Sequence, residues 1–399
     1  MKAFVKIVSI LLVLLMVLGL CACTKKEEPE KNEWVGVMTA REGAISDTGY
    51  YYINNQNLLH YVDFESGVNV CLCSKAGCPH GASEECEALI TLNSGMLSTM
   101  FFYNGGIYFT SVDEYGWVLY RRNADGTGQS KVATLCEKYM KEDPEIEVNA
   151  FWFTVAGNYV YYYAEIRVVV MEENISTYQT KLNALLRLDL RTGKEEILAE
   201  NYEKNKSFYL VAVRNDSAIY ALYSTPDVEY DAENFDALLN QSPVQILQWS
   251  AETGESKVLV EKTRKEIGNS VTYQGGKFYC TPGDNMYSID LETGTLKKVL
   301  ENGYLSAFNA DFGLLFDYTT GKRPIKNLKT GELLPNEYEG YLLQVKGYTD
   351  DMLILTYRVE NEDGSKDDHY TFVKIASLVD GLQKEDAAEF YVRHYASYS

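Results

Sequence analysis

The sequence has 399 residues, of which 57 are acidic and 37 are basic, so its formal net charge is −20. A chain this acidic repels the phosphates of nucleic acids and of anionic lipid headgroups, so we exclude both as partners. Length alone would allow two or three domains, and the internal pattern of the sequence has to decide between these arrangements.

The first segment is typical of an export signal. Lys2 and Lys6 accompany an apolar run, residues 7–20, that is short for a membrane span. The run ends in an apolar residue, two small residues and Cys23, a pattern that resembles the lipobox of bacterial lipoproteins. The resemblance implies that residues 1–22 are a lipoprotein signal peptide and that Cys23 carries the lipid. An ordinary secretory peptide or a membrane anchor is the alternative.

The next segment, residues 23–40, begins with a polar and charged stretch that has little apolar surface to bury. Such a composition predicts a flexible tether. We therefore expect an extracytoplasmic protein that a lipid holds at the cell membrane.

A short sequence motif ending in glycine then recurs along the chain. Its copies are residues 63–67, 189–193, 250–254, 290–294 and 327–331, with a looser one at 123–128. Each copy separates two apolar runs, so each predicts a tight turn between two strands, with the glycine at positive φ.

A second element, a small or polar turn followed by an aromatic strand, occurs seven times. Its copies are residues 47–53, 104–109, 156–163, 215–220, 274–279, 311–316 and 350–355. Together the two elements describe a repeated four-stranded meander. The pattern predicts an all-β fold, a single β-propeller of seven four-stranded blades over residues 41–385, with six or eight blades as alternatives.

The end of the sequence, residues 386–399, is expected to be a C-terminal tail. Its apolar residues follow a rhythm close to that of a helix, which favours a short helix capping the last blade. Two alternatives are that this segment is the strand that closes the ring, or that residues 34–38 supply that strand from the N-terminal side.

The combination of the two repeated elements with the lipobox resembles secreted bacterial lipoprotein propellers of the TolB-like type. The resemblance covers about seven-eighths of the chain and implies the propeller architecture. It implies no particular activity, because propellers carry unrelated functions.

The connections between second and third strands are long in three units, at residues 166–181, 224–245 and 360–368. In a meander these connections share one face with the crossovers between blades, including the crossover at residues 71–100. Insertions on one side of a rigid scaffold favour a binding surface. The acidic candidates on this face are Asp227, Glu229, Asp231, Glu233, Asp236, Glu360, Glu362, Asp363, Asp367 and Asp368. Such acids could hold Ca²⁺ or a cationic partner, or could simply be solvated.

One insertion, residues 71–88, concentrates thiol chemistry. It contains Cys71, Cys73, Cys78, His80 and Cys86. The last four offer three thiolates and an imidazole to a tetrahedral structural Zn²⁺. Disulfides are the alternative in an oxidising compartment, for example Cys78–Cys86 with Cys71–Cys73, or Cys73–Cys86. Inert thiols are a third interpretation.

The sequence contains no nucleophile elbow, zinc-protease helix, phosphate-binding loop or dinucleotide fingerprint. We therefore expect a non-catalytic binding or scaffold protein that presents its loop-rich acidic face to an envelope protein or a cell-wall component. The alternative is a carbohydrate-active hydrolase or lyase with carboxylates at the propeller channel. Structural zinc is the one cofactor that the sequence suggests.

Overall fold

The structure is a computed structural model. It describes residues 33–37, 43–81, 85–90, 99–113, 116–143, 145–172, 175–226, 235–338 and 342–395. The predicted signal peptide and Cys23 therefore lie outside the described residues. Within the described ranges, no helix is long and apolar enough to cross a lipid bilayer.

The strands form seven antiparallel sheets, and consecutive strands pair within each sheet. A two-residue strand, β1 (Val35–Gly36), precedes the first blade. Blade 1 consists of β2 (Gly43–Ile45), β3 (Gly49–Ile53), β4 (Leu59–Asp63) and β5 (Asn69–Cys71). Blade 2 consists of β6 (Met100–Tyr103), β7 (Gly106–Asp113), β8 (Gly116–Asn123) and β9 (Ser130–Thr134). Blade 3 consists of β10 (Ile146–Ala156), β11 (Tyr159–Glu172), β12 (Ile175–Asp189) and β13 (Glu195–Asn201). Blades 4 to 7 consist of β14 (Lys206–Arg214), β15 (Ser217–Ser224), β16 (Pro243–Ser250) and β17 (Ser256–Thr263); β18 (Val271–Gln274), β19 (Lys277–Cys280), β20 (Met286–Ile289) and β21 (Leu296–Leu300); β22 (Gly303–Ala307), β23 (Phe312–Asp317), β24 (Ile325–Asn327) and β25 (Leu333–Leu334); and β26 (Leu342–Tyr348), β27 (Met352–Glu360), β28 (Lys366–Lys374) and β29 (Ala387–Tyr395).

Helices are short in the part of the chain that the structure describes. They are α1 (Glu137–Glu142), α2 (Phe235–Gln241) and α3 (Arg264–Ile267), with two 3₁₀ turns at Ile375–Asp380 and Lys384–Asp386. All of them lie in connections between strands.

This arrangement confirms the predicted all-β propeller with seven four-stranded blades. Each of the seven predicted aromatic strands is the second strand of its blade. Their tyrosines fill the space between blades: Tyr50, Tyr161 and Tyr162 are fully buried. Aromatic side chains suit this position because they bury a large area on a pleated surface.

The glycine motifs form the turns between third and fourth strands, as predicted. In the five strict copies the glycine N–H donates to the main-chain carbonyl four residues earlier, at 2.8–2.9 Å. The glycines have φ between +68° and +79°, where other residues are disfavoured. The carboxylate of Asp290 shows the role of the first position, because it accepts the N–H groups of Glu292 and Thr293 at 2.9 and 3.0 Å.

The two tight turns of a blade lie side by side. In six blades an N–H just after the third strand donates to a carbonyl of the first turn at 2.7–3.2 Å; the pairs are Phe64–Thr48, Ala124–Gly105, Leu190–Asn158, Ala251–Asp216, Leu328–Asp311 and Ile375–Asp351. We call this side the turn face. The connections between second and third strands lie on the opposite side, the loop face.

The C-terminal segment is a strand, so the predicted short helix is wrong. β29 pairs with β28 and completes blade 7. A register shift between Tyr370 and Thr371 leaves Phe390 as an extra residue, so this strand loses its strict alternation. The bulge explains why the apolar spacing resembled a helical rhythm.

Side chains join the last blade to the first. The Tyr391 hydroxyl donates to Asn55 Oδ1 and accepts the Asn55 N–H, both at 3.0 Å. Asn69 donates to the Phe390 carbonyl at 2.9 Å. Of the two alternatives to the helix, the C-terminal strand is the one that the structure contains, because β29 completes blade 7 and contacts blade 1, whereas Val35 and Gly36 pair with blade 4 instead.

The strand β1 instead extends blade 4. Val35 lies opposite Val213 in β14, and the Val37 N–H donates to the Val211 carbonyl at 3.2 Å. First strands of neighbouring blades contact one another around the axis, and β1 also contacts β10 and β18, so it lies in the central channel. The propeller unit therefore begins at Trp34 and includes β29, beyond the predicted range 41–385.

Candidate functional site

The cysteine-rich segment follows the outer strand of blade 1 and contains a tight turn. The Cys78 N–H donates to the Lys75 carbonyl at 3.2 Å, with Gly77 at φ +74° in the position that requires glycine. His80 has φ +51°, a left-handed conformation that is uncommon for residues other than glycine. The turn brings the side chains on either side of it toward one another.

Four of the five predicted side chains converge. The sulfur atoms of Cys73, Cys78 and Cys86 and a ring nitrogen of His80 all lie within 4.8 Å of one another. Cys71 is the fifth predicted residue and does not belong to this group. The six cysteines of the described residues are all free thiols.

The thiols of this cluster differ in their acidity. Burial opposes ionisation of Cys73, but N–H groups of Lys75 and Glu87 and neighbouring thiols donate to its sulfur and lower its pKa to about 7. Burial raises the pKa of Cys86 to about 12. The geometry therefore stabilises negative charge on one sulfur within a group of potential metal ligands.

The segment lies at the seam between blades 1 and 2. Toward blade 1, the Leu59 N–H donates to the Ala88 carbonyl and the Ile90 N–H to the Asn57 carbonyl, both at 2.8 Å. Next to these bonds, Leu58 and Leu89 form an isolated antiparallel β-bridge. These contacts are with the loop between second and third strands, as expected for a crossover.

Toward blade 2 the contacts differ from the prediction. Arg122, near the end of β8, donates to the carbonyls of Glu87 and Leu89 at 2.6 and 2.7 Å. A Cβ on Gly126, in the turn after β8, would lie 2.7 Å from the Leu72 side chain. The segment thus also contacts a turn of the turn face. The prediction that it belongs to the loop face is wrong for this side, because the crossover spans the seam.

The acidic candidates of blade 4 are partly outside the described residues. Asp227, Glu229, Asp231 and Glu233 fall in residues 227–234, which the structure does not describe. Asp236 lies in α2, is exposed, and forms an ion pair with Lys265 at 3.5 Å. An exposed pair of this kind contributes little to stability.

The acidic candidates of blade 7 mostly support their own hairpin. Asp363 accepts the N–H and the hydroxyl of Ser365, at 2.9 and 2.6 Å. Asp367 bonds to His394 at 2.8 Å, and the buried Asp368 pairs with Arg358 at 2.6 Å. Glu360 and Glu362 are exposed. Among the described residues these acids form no group that could hold a cation.

The predicted loop insertion of blade 3 is a paired hairpin with a register shift between Ile166 and Arg167. β11 and β12 stay paired out to Glu172 and Ile175. Three apolar side chains near its tip, Val169, Met171 and Tyr178, are 41%, 65% and 56% exposed. Exposed apolar groups on a rigid hairpin are typical of a surface that contacts a partner.

The central channel contains a cavity of about 660 Å³ beside β1. Residues of β18, β22 and β26 line it together with Gly36 and Val37. Among the described residues, its lining includes the cations Arg323 and Lys346 and no carboxylate. The pair of carboxylates that a glycoside hydrolase uses is therefore not found in this described lining.

Neither a protein-family model nor a curated protein sequence matches the chain. Among solved structures, the chain is similar to Pyrococcus horikoshii acylaminoacyl peptidase, with a TM-score of 0.43 and 13% identity over 75% of this chain and 46% of that one. It is also similar to Porphyromonas gingivalis dipeptidyl peptidase 4, with a TM-score of 0.45 and 10% identity over 90% of this chain and 60% of that one. A chain of a nidogen/laminin complex has a TM-score of 0.36 and 10% identity, over 72% and 92%.

The chain spans about half the length of the peptidases that it matches. These similarities are similarities of fold. The seven blades follow from the strand pairing itself.

Two features of the site are not visible in the sequence pattern. Arg122 is only 6% exposed although it is charged. Its guanidinium binds the crossover carbonyls, and its burial lowers its pKa. Its inward position in the alternation of β8 is the one signal that could have indicated it. The entry of β1 into the channel has no comparable signal, since the strand has only two residues.

Proposed function

We propose that this protein is a lipid-tethered, extracytoplasmic binding propeller without catalytic activity, and that its loop face contacts a partner protein of the cell envelope. The observation that carries the proposal is the exposed apolar end of the blade 3 hairpin on the loop face. Val169, Met171 and Tyr178 are 41%, 65% and 56% exposed there.

The lengthened connections lie on this one face. The hairpin of blade 3 pairs out to Glu172 and Ile175, and the hairpin of blade 7 pairs out to Glu360 and Lys366. Insertions on one side of a scaffold are expected where a partner is bound, which chance lengthening would not predict. A lipid on Cys23 would hold the protein at the membrane while this face contacts an envelope protein or a cell-wall component.

The exposed apolar groups of the blade 3 hairpin favour a protein as partner. Met and Tyr are enriched at the centres of protein interfaces, and the rims of interfaces are polar and accessible to solvent. Val169, Met171 and Tyr178 would supply the centre of such an interface. Asp236 and the blade 7 acids would supply an acidic rim.

The lipid anchor is tested by Cys23→Ala in the full chain. We expect the variant to move from the membrane fraction to the soluble fraction of the envelope and to lose its lipid mass. A variant that stays with the membrane would contradict the proposed anchor.

The binding face is tested by photo-crosslinking in cells. A photoreactive residue is placed at Tyr178 on the hairpin or, as a matched control, at Thr253, which is exposed on the turn face. We expect a discrete crosslinked species from position 178 only, and its loss in a variant that also carries Met171→Lys. Equal crosslinking from both positions, or none from position 178, would refute the proposed face.

A further inference from the structure

We propose that Cys73, Cys78, His80 and Cys86 bind one Zn²⁺ ion, and that this closed structural site fastens the crossover across the seam between blades 1 and 2. The proposal does not depend on the binding function. It rests on the convergence of four donors and on the contacts that the segment makes with both blades.

The geometry favours a metal over paired sulfurs. Tetrahedral zinc with bonds of about 2.3 Å to sulfur and about 2.0 Å to nitrogen needs donors roughly 3.5–3.8 Å apart. The four donor atoms already lie within 4.8 Å of one another, so shifts of less than about 1 Å complete the site. A disulfide joins two sulfurs at about 2.05 Å and makes no use of an imidazole.

The backbone around His80 supports the same assignment. Its φ of +51° stores strain that a residue other than glycine avoids unless other interactions offset it. In the described structure the ring nitrogen lies among three sulfurs. A bond from this nitrogen to zinc would offset the strain, whereas a pair of disulfides would leave it uncompensated.

The position of the cluster determines what the ion does. Cys86 is 3% exposed and forms a small core with Leu58 and Ala88. The residues just after Cys86 bind blade 1 through Leu59 and blade 2 through Arg122. Because four protein ligands leave no open position for water or substrate, the ion is structural, and its binding energy stabilises the fold.

The experiment uses the full chain, purified in detergent without chelator. Metal content is measured by elemental analysis, and Co²⁺ replaces zinc as a spectroscopic probe of tetrahedral thiolate coordination. The key variant is His80→Gln, since histidine matters to a metal site and not to a disulfide. Cys71→Ser is the matched control, because Cys71 lies in the same segment but outside the four donors.

We expect about one zinc per chain in the wild type and in Cys71→Ser. His80→Gln should weaken metal binding by more than about 100-fold, because loss of even an outer partner costs about 10–100-fold. A wild type without zinc would overturn the proposal, whether the peptide containing residues 71–88 proves disulfide-linked or fully reduced. Zinc retained in His80→Gln would overturn the four-ligand assignment.

The fastening role has its own readout in hydrogen exchange. Removal of zinc by a chelator should deprotect the Leu59 amide, which donates to the crossover, and the Ile90 amide, which donates from the crossover to Asn57 in blade 1. It should spare the Ile375 amide in blade 7. Unchanged protection at Leu59 and Ile90 after complete zinc removal would overturn this role.

Discussion

The channel strand β1 depends on a glycine at position 36. An added Cβ there would lie 2.1 Å from the Tyr273 carbonyl oxygen, more than 1 Å closer than ordinary contact. This carbonyl belongs to β18, which is paired with β19 and has little freedom to retreat. We therefore expect Gly36→Ala to expel β1 from the channel.

The loss can be worked out from the contacts of β1. Its main-chain hydrogen bonds to β14 contribute roughly 0.5–1.5 kcal/mol each, and the Trp34–Arg214 contact about 0.5–1 kcal/mol. The half-buried side chains of Trp34, Val35 and Val37 contribute about 1 kcal/mol each through apolar burial. Freed residues regain conformational entropy of about 1 kcal/mol each, which offsets part of the loss. We expect Gly36→Ala to lower the free energy of unfolding by about 2 kcal/mol.

The control is the same substitution at Gly347 in β26, where an added Cβ meets no atom within 4 Å. Gly347→Ala should be neutral or stabilise the protein by up to about 1 kcal/mol, since alanine restricts the unfolded chain. Urea unfolding gives the stabilities, and hydrogen exchange at the Val37 amide reports on β1. Equal stabilities of the two variants, with Val37 protected in both, would refute the reasoning.

Three further outcomes are expected. Arg122→Met should destabilise the protein by about 3 kcal/mol, because two buried crossover carbonyls lose a charged donor, whereas Arg121→Met should change stability by no more than about 0.5 kcal/mol. Urea unfolding measures both, and equal losses would contradict the role of the buried guanidinium. Tyr391→Phe removes both bonds to Asn55 and should cost about 1 kcal/mol, with faster exchange at the seam between blades 7 and 1; unchanged exchange would argue against side-chain closure. N–H donors of the turn hold the pKa of Asp290 below 3.8, so its contribution is present above that value and is lost as pH falls through the lower folded-state pKa. An NMR titration should show this, and Asp290→Asn should flatten the acid limb of the stability profile; a pKa at or above 3.8 would contradict the capping role.

The architecture was predictable because its signals are local and repeated. The glycine at the end of each turn motif and the aromatic residues in each second strand indicate the same four-stranded meander in every repeat. The four clustered side chains, Cys73, Cys78, His80 and Cys86, lie within fourteen residues in sequence, so their convergence could also be predicted. The choice between zinc and disulfides could not, because it depends on where the side chains meet in space.

The features that escaped prediction depend on distant contacts or on irregular strands. Pairing of Val35 with Val213 joins residues that are remote in sequence, and two residues carry too little pattern to indicate it. The bulge at Phe390 interrupts the alternation of the strand, so the spacing of its apolar residues resembled that of a helix. The contact of Arg122 with the crossover depends on the packing of two blades, which no local pattern encodes.

The order of the strands within the blades also influences the order of events during folding. Every blade consists of consecutive strands, so each sheet can form from neighbouring segments as soon as they are available. The channel strand is different, because its partner β14 lies in the fourth blade and the loop to be closed is long. The beginning of the propeller unit should therefore reach its final place late, after at least four blades exist, and until then a flanking segment of the channel stays open to solvent.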